Sequence, residues 1–259
     1  MSPFFVCLSH GVFMINPTYR YVKPMTGCYI PTMACIANGK SVFTRALGDA
    51  IEQDTGKPCH KFFEPCSDDE EGGSSRFLPL FYKDMKRWGF TVQIEMLLKR
   101  RKQSRYARVL ALRGDNSVAD SDIRSDGVFV NMLQKDGMIT QDEADLYYEL
   151  FQDFCEPELY PTAIVYLDCT PETCLRRLNK RMSEVAGRNM ESNISLDYLK
   201  NLIAEYKELI SNMSRFCHVI RLPWDDDKTQ DQINIEAKKV WEHVKFLREK
   251  CPIPCQLGL

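Results

Sequence analysis

The sequence has no apolar run of transmembrane length and no surplus of positive charge. A membrane-spanning helix needs about 18–20 consecutive apolar residues, and no stretch of the 259 residues approaches that length. The 34 basic and 36 acidic side chains give a formal net charge of −2. A protein that coats nucleic acid needs a basic surplus to displace counterions from the phosphates. We therefore expect neither a membrane nor a nucleic acid as a partner.

The sequence also lacks targeting signals and closely paired cysteines. No Lys or Arg precedes Arg20, so the N-terminus has neither the basic flank of a signal peptide nor the Arg-rich face of a transit peptide. The 11 cysteines include no CxxC pair, which argues against a zinc site. An odd number of cysteines without an export signal is typical of free thiols. These features predict a reducing compartment, which favours the cytoplasm and leaves a mitochondrial location open.

The sequence does contain an alternation of short apolar strands and longer helical stretches. The clearest strand is 162–169, and Pro171 begins the following helix in the N1 position. Two later helices, Leu196–Met213 and Gln230–Lys250, flank a short strand at 218–222. This alternation predicts an α/β fold in which helices cover both faces of a parallel sheet.

The remaining segments set the domain organisation. Residues 27–34 are predicted as a strand, although Pro31 is unusual in a central strand. A continuous helix is predicted over 81–103, and the acidic, Gly/Ser-rich stretch 67–75 is predicted as a mobile loop. The predicted parts are an N-terminal extension (1–26), a single domain (27–250) and a C-terminal tail (251–259).

The segment Ala34–Ser41 matches most of the phosphate-binding pattern GxxxxGK[ST]. In that pattern backbone N–H groups face the phosphates, the lysine reaches the β- and γ-phosphates, and the hydroxyl binds Mg²⁺. Lys40 and Ser41 supply the last two groups, while Ala34 replaces the first glycine. We therefore predict a nucleotide site with Mg²⁺ bound through Ser41. The predicted phosphate-binding residues are Ala37, Asn38, Gly39, Lys40, Ser41 and Val42.

A basic run follows the 162–169 strand. Arg177 and Arg181 are four residues apart, and Arg188 lies seven further on, so all three share one face while the helix continues. A cationic face opposite a phosphate-binding loop can bind phosphates and stabilise charge during phosphoryl transfer. The spacing leaves a solvated basic face open as the alternative.

Several segments resemble, in the same order, the motifs of deoxyribonucleoside kinases. The longest, 159–177, is similar to the strand and lid helix of that family, and the stretch from Tyr82 to Gln93 is similar to its substrate helix. The resemblance spans residues 28–247 and implies a P-loop kinase fold with an arginine lid, ATP and Mg²⁺ as cofactors, a role in nucleotide salvage and a homodimer. Shorter matches are 63–65 to the general-base element, 187–191 to the end of the lid and 224–227 to the adenine loop.

The resemblance implies a role for each matching side chain. Glu64 would take the proton from the sugar 5′-hydroxyl, because the attacking alcohol needs a carboxylate within hydrogen-bond reach. Gln93 would pair with the edge of the nucleobase, and Tyr82 and Glu191 would hold the 3′-hydroxyl. The other implied site residues are Arg177, Arg181 and Arg188 in the lid and Asp226 in the adenine loop.

Two further residues bear on the choice of nucleobase. Arg100 lies seven residues, about two helical turns, after Gln93 and can line the same pocket. Asp126 matches a position at which deoxycytidine and deoxyguanosine kinases keep an acid that partners this arginine. The pair therefore implies deoxycytidine, deoxyguanosine or deoxyadenosine rather than thymidine as substrate.

One motif of the family is missing. The family carries Glu-Arg-Ser at the end of a strand, and that arginine supports the base carboxylate and the phosphates. Ungapped alignment places Asp120-Ser121-Asp122 there, without an arginine. Arg124, which lies close by and is counted among the predicted catalytic residues, and Arg113, in a gapped alignment, are the two candidates for its replacement.

The predicted function is transfer of a phosphoryl group from ATP to the 5′-hydroxyl of a deoxyribonucleoside. Two alternatives stay open at this point. The missing motif is compatible with a catalytically impaired relative that binds nucleotide or serves as an accessory subunit. A nucleoside monophosphate kinase shares the broad fold, but it needs an additional cationic site for the phosphate of its acceptor.

Overall fold

The computed structural model describes residues 25–64, 75–184 and 194–250, together with the backbone of 5–8 and 11–14. Its centre is a five-stranded sheet with the order β4-β5-β3-β6-β7, in which every neighbouring pair is parallel. A separate antiparallel pair, β1 and β2, lies near the N-terminus. The strands are β1 (Phe5–Leu8), β2 (Gly11–Met14), β3 (Tyr29–Met33), β4 (Cys59–Phe62), β5 (Asn116–Asp120), β6 (Ala163–Asp168) and β7 (His218–Pro223).

The helices connect these strands and cover the sheet. They are α1 (Lys40–Thr55), α2 (Leu78–Lys83), α3 (Met85–Arg113), α4 (Gly127–Lys135), α5 (Gln141–Cys155), α6 (Pro171–Glu184), α7 (Leu196–Met213) and α8 (Gln230–Lys250). Helix α1 packs between the sheet and α8, and the Trp241 indole N–H donates to Asp54 at 2.7 Å. The architecture confirms the predicted α/β fold with a parallel sheet flanked by helices.

The middle strand β3 contains Pro31 and is registered with β6 only beyond it. All five residues of β3 are buried. Its registered pairs with β6 are Thr32–Val165 and Met33–Tyr166, both after the proline. Because proline lacks only its own N–H, the ladder to β6 begins one residue later and the strand stays central.

Two elements differ from the sequence-based prediction. The helix predicted over 81–103 is two helices, because Asp84 adopts an extended conformation and its carboxylate accepts from the Arg87 N–H to cap α3. Helix α3 then continues to Arg113. The short strand β5 was not predicted from periodicity. Its five residues read Asn-Ser-Val-Ala-Asp, and the last four are buried, so no polar–apolar alternation marks it.

Three further features concern the start of α5, the cysteines and the apolar character of the helices. Thr140 and Glu143 form a reciprocal capping box at the start of α5. The seven cysteines of the described residues form no disulfide, and six of them are buried. Within the described ranges, no helix combines the length and apolar character needed to cross a membrane.

Candidate functional site

The loop between β3 and α1 turns sharply before the helix begins at Lys40. Gly39 has φ 75° and Ala37 has φ 60°, so both occupy the left-handed region. Ala34, by contrast, is not among the positive-φ residues, so the missing first glycine costs this loop no backbone strain there. Because the residue before α1 is a glycine, no side chain at that position takes up the first N–H groups of the helix. These N–H groups are suited to bind phosphate.

Asn38 is a structural residue of the loop. Its side chain is buried and its amide donates to the Leu167 carbonyl at 3.0 Å. Its oxygen accepts from Arg177 at 2.7 Å. The side chain of Asn38 is therefore committed to β6 and α6, and only its backbone faces the loop.

Ser41 and Asp120 meet at the carboxyl ends of β3 and β5. The Ser41 hydroxyl donates to Asp120 Oδ2 at 2.5 Å, and Asp120 Oδ1 is buried without a hydrogen-bond partner among the described residues. Burial raises the pKa of Asp120 to about 6, against the opposing effects of Lys40, the Ser41 hydroxyl and Arg100, and Glu64 raises it further. A carboxylate oxygen aimed at a phosphate-binding loop suits a hard cation.

A cavity of about 520 Å³ opens beside this loop. It lies between α1, the end of β4, α2, α3 and the start of α7, so the elements of the sheet edge and of the lid meet around it. Its apolar wall comes mainly from α2, α3 and α4. The predicted site residues that line it are Ala37, Lys40, Glu64, Tyr82, Gln93, Arg100 and Arg181.

Glu64 belongs to a buried network at the base of the cavity. It follows β4, and Gln103 fixes the preceding residue by donating to the Phe63 carbonyl at 2.9 Å. Arg100 donates through one terminal nitrogen to Glu64 Oε1 at 2.5 Å and through the other to Asp126. The side chains of Arg100 and Asp126 are 6% and 0% exposed, whereas that of Glu64 is 23% exposed. Glu64 is thus the most exposed of the three side chains, and both Glu64 and Arg100 line the cavity.

Gln93 presents an unused polar group to the same cavity. It is 7% exposed, and its side-chain oxygen is buried with no hydrogen-bond partner among the described residues. A buried polar atom without a partner costs free energy. A ligand that donates a hydrogen bond here recovers that loss.

Two of the predicted lid arginines take different positions. Arg181 lines the cavity. Arg177 instead donates to the carbonyls of Trp224 and Asp226, both at 2.8 Å, in addition to Asn38. Its guanidinium therefore joins α6 to the phosphate-binding loop and to the loop after β7, outside the cavity.

Arg124 is not brought to the cavity, although the sequence analysis counted it as catalytic. Its guanidinium donates to the Glu158 carbonyl at 2.7 Å and lies 4.3 Å from the centre of the Tyr160 ring. It also pairs with the buried carboxylate of Asp122. The other candidate, Arg113, is exposed in the last turn of α3, before the amino end of β5. Neither arginine lines the cavity.

The remaining predicted residues divide into three groups. Asp126 is behind Arg100 rather than in the cavity lining. Val42 and Asp226 are exposed, and Asp226 takes part through its backbone carbonyl. Arg188 and Glu191 lie outside the described residues, as do the acidic loop and the end of the lid.

Two contributions to the site were not predicted from the sequence. Asp120 was noticed only as part of a degraded motif, yet an acid at the end of the strand beside the phosphate-binding loop is itself a signal for a cation site. The start of α7 also lines the cavity, through Ser195, Tyr198 and Asn201. No role was predicted for those three residues.

Comparison with known proteins gives concordant matches. Residues 34–247 match the family model described as deoxynucleoside kinase. A deoxyadenosine kinase of Dictyostelium discoideum is 31% identical over 230 residues, which are 89% of this chain and 86% of that protein. A deoxyadenosine/deoxycytidine kinase of Bacillus subtilis is 27% identical over 211 residues, 80% of this chain and 88% of that one.

The fold also has counterparts among solved structures. A deoxyadenosine kinase from M. mycoides, with the products dCMP and a flexible dCDP bound, aligns with a TM-score of 0.63. The alignment covers 83% of this chain and 99% of that one at 21% sequence identity. At this identity the likeness concerns the fold.

Proposed function

This chain belongs to the deoxynucleoside kinase family, and from that premise we propose that it transfers the γ-phosphoryl group of ATP to the 5′-hydroxyl of a deoxyribonucleoside. Phosphoryl transfer to a deoxynucleoside is the reaction of the family, and the chain is an enzyme of that kind. One observation carries the finer proposal. Lys40 of the phosphate-binding loop and the carboxylate of Glu64 line the same cavity, so a phosphate donor and a hydroxyl acceptor can meet there.

In the proposed mechanism Glu64 is the general base. The acceptor hydroxyl becomes an effective nucleophile when a positioned carboxylate takes its proton, which contributes about 10²–10⁴-fold to the rate. The cavity lining contains three carboxylates, those of Glu64, Asp136 and Asp197. Of these three, Glu64 is the one that follows a strand of the sheet, β4. Lys40 neutralises charge on the transferred phosphoryl group, and Arg181 stabilises the charge that spreads over its oxygens in the transition state.

The nucleoside is proposed to lie along α2 and α3. Gln93 supplies both a donor and an acceptor, so it pairs with the edge of a nucleobase, and its unpartnered oxygen supports this role. Tyr82, in α2, also lines the cavity and is proposed to hold the sugar. The named substrates of the reported relatives support adenine or cytosine as the base, in agreement with the Arg100–Asp126 pair.

Magnesium is proposed to bind at Ser41 and Asp120. The Ser41 hydroxyl and the Asp120 carboxylate are oxygen ligands. A bound cation would also give the buried Asp120 Oδ1 the partner that it lacks among the described residues. Mg²⁺ is commonly held by one or two carboxylates together with the phosphates of the substrate. When bound, it would neutralise negative charge on the donor phosphates.

The proposal is tested by phosphoryl transfer from [γ-³²P]ATP to the four deoxynucleosides. Single-turnover rates and nucleoside affinities are measured for the wild type and for Glu64→Gln, which keeps the size of the side chain but cannot take the proton. The expected result is product with at least one nucleoside and a loss of about 10²-fold or more in the variant, with nucleoside affinity retained. Absence of product from every nucleoside, or a rate in Glu64→Gln within threefold of wild type, would contradict it.

The oligomeric state stays a prediction. The homodimer implied by the resemblance is tested by light scattering of the full chain. A mass of two chains, near 60 kDa by doubling the 30.0 kDa chain, is the expected result, and a single-chain mass would contradict it.

A further inference from the structure

The backbone that carries Glu64 lies beyond the registered part of the sheet. Strand β4 is an edge strand next to β5, and its last registered pair is Phe62–Ala119. Phe63 and Glu64 follow that pair along the chain. Their positions therefore depend on contacts with the helices that pack beside this strand end.

Gln103 of α3 holds the peptide unit that joins Phe63 to Glu64. Its side-chain amide donates to the Phe63 carbonyl at 2.9 Å, in a partly buried position. Because the peptide bond is planar, the atoms from the Cα of Phe63 to the Cα of Glu64 move together. A hydrogen bond to this carbonyl therefore restrains the direction in which the Glu64 side chain leaves the backbone.

Arg45 of α1 contacts the ring of the same residue. Its guanidinium carbon lies 4.5 Å from the centre of the Phe63 ring, within the distance of about 6 Å at which a cation is attracted to an aromatic face. The Phe63 side chain is packed as a core residue, with 1% of its surface exposed. Because Arg45 and Lys40 belong to the same helix, this contact joins the end of β4 to the helix that follows the phosphate-binding loop.

Phe63 thus joins the two helices that carry the proposed contacts to the two substrates. Helix α1 begins at Lys40, which is proposed to bind the phosphates of the donor, and α3 contains Gln93, which is proposed to bind the nucleobase. A base must be held close to the productive geometry, because a displacement of about 1 Å can cost about 10²-fold in rate. Contacts from both helices to Phe63 set the position of Glu64 relative to both substrates.

We propose that Gln103 and Arg45 are positioning residues of the catalytic carboxylate, acting through the carbonyl and the ring of Phe63. The proposal rests on the proposed role of Glu64 as the base. In the part of the chain that the structure describes, neither Gln103 nor Arg45 lines the cavity, so neither is required to contact a substrate. Their loss should therefore lower the rate of phosphoryl transfer and leave the affinity for both substrates unchanged.

A double-mutant cycle tests this proposal. Single-turnover phosphoryl transfer is measured at saturating ATP and nucleoside for the wild type, Glu64→Gln, Gln103→Met and the double variant. Gln103→Met keeps the length of the side chain but removes the donor, and it is expected to lower the rate by about tenfold or more with both affinities retained. In the Glu64→Gln background the same substitution is expected to cost less than about threefold, because the group that Gln103 positions is already disabled.

Matched variants of glutamine separate positioning from a general effect on folding. Gln103→Lys restores a hydrogen-bond donor on a long side chain and is expected to return the rate to within about threefold of wild type. Gln134 donates to Gln141 at 2.8 Å in an exposed position. Gln134→Met therefore makes the same chemical change away from the cavity, and it is expected to keep the wild-type rate.

Arg45 provides an independent test of the contact with the ring. Arg45→Met removes the cation over the Phe63 ring and is expected to lower the rate by about threefold or more, whereas Arg45→Lys keeps a cation there and is expected to retain the wild-type rate. Arg76 is the matched control, because its guanidinium carbon also lies 4.5 Å from the centre of an aromatic ring, that of Phe77. Arg76→Met is expected to keep the wild-type rate.

The outcomes distinguish this proposal from the proposed function. A Glu64→Gln rate equal to wild type overturns the base and, with it, both positioning residues. A large loss in Glu64→Gln together with an unchanged rate in Gln103→Met or Arg45→Met overturns the role of the residue whose loss has no effect and leaves the base in place. A loss in Gln103→Met also contradicts positioning if Gln103→Lys does not recover it, if it appears as weaker binding of ATP or nucleoside, or if it multiplies fully with the loss from Glu64→Gln.

Discussion

Arg177 donates a hydrogen bond to the side-chain oxygen of Asn38 at 2.7 Å, so the first helix of the lid contacts the phosphate-binding loop directly. The same guanidinium donates to the carbonyls of Trp224 and Asp226. It is partly shielded, with 14% of the side chain exposed. Arg177 thus fixes the relative positions of two loops that are far apart in sequence.

The first prediction concerns this contact. Arg177→Met is expected to raise the KM for ATP by about tenfold or more, because hydrogen bonds from a charged donor contribute about 1.5–3 kcal/mol each. The KM for the nucleoside is expected to change less than threefold, since the contacts of Arg177 lie outside the cavity. Steady-state kinetics with each substrate varied in turn measure both values.

The neighbouring arginine provides the matched control. Arg176 pairs with Asp227 in an exposed position, with 51% of the arginine side chain accessible. Exposed ion pairs contribute about 0–1 kcal/mol, so Arg176→Met is expected to leave the KM for ATP nearly unchanged. An equal effect of the two substitutions would show that charge on α6, rather than the contact with Asn38, determines ATP binding.

The second prediction concerns the carboxylate bonded to Ser41. Asp120→Asn is expected to raise the Mg²⁺ concentration for half-maximal rate by about tenfold or more. Mutations of the groups that surround a bound metal typically lower metal affinity by about 10–100-fold. A titration with MgCl₂ at fixed ATP measures it. Asp115→Asn, beyond the amino end of β5, makes the same chemical change at an exposed position and is the control.

Asp120→Asn is expected to stabilise the folded protein, although it is expected to weaken the response to Mg²⁺. Because the folded-state pKa of Asp120, about 6, lies above the unfolded value, the native protein binds the extra proton between about pH 4 and 6. The free energy of unfolding therefore falls across that range as the pH rises. In metal-free buffer at pH 7, Asp120→Asn is expected to unfold at a higher urea concentration than wild type. A lower midpoint would contradict a purely functional reason for the buried acid.

The third prediction concerns Asp122, two residues further on. Its carboxylate accepts from Arg108 at 2.6 Å and from the Tyr29 hydroxyl at 3.0 Å, and it also pairs with Arg124. Removing one member of a buried ion pair costs about 3–5 kcal/mol. Asp122→Asn is expected to lower the free energy of urea unfolding by about 3 kcal/mol at pH 7.

The destabilisation is expected to depend on pH. Burial alone would raise the pKa of Asp122, but Arg108 and Arg124 outweigh it, so this pKa lies below its ordinary value. The stabilisation from Asp122 is therefore present above the unfolded-state pKa, about 4, and is lost as the pH falls through the folded-state value. The difference between wild type and variant is expected to shrink below about pH 4. A difference that stayed constant to pH 2 would mean that shape, rather than charge, determines it.

The helices and the phosphate-binding loop were predictable because their signals are local. Thr140 and Glu143 are three residues apart, and Lys40 and Ser41 follow one another, so short stretches of sequence contain the whole pattern. The fate of Arg124 was not predictable in this way. Its partners at 155 and 158 come from the end of α5, which only the tertiary fold brings close.

The support of Glu64 illustrates the same limit within the site. The sequence motif suggested that the supporting arginine would lie near 120–124 or at Arg113. The side chain that contacts Glu64 is 36 residues away from it on another element. The spacing from Gln93 predicted that Arg100 lines the pocket. The hydrogen-bond partners of Arg100 could not be predicted in this way, because they depend on the distances between α3, α4 and the end of β4.

The packing of α1 against α8 has a consequence for how the protein is made. Asp54 and Trp241 are separated by 187 residues, and the buried face of α8 includes Val240 and Val244. The helix that begins at Lys40 therefore stays partly uncovered on the ribosome until α8 has emerged. Such late, long-range closure slows folding and leaves apolar surface open to aggregation in the meantime. A premature stop before Gln230 would leave a nascent chain that carries the phosphate-binding sequence but not the helix that covers it.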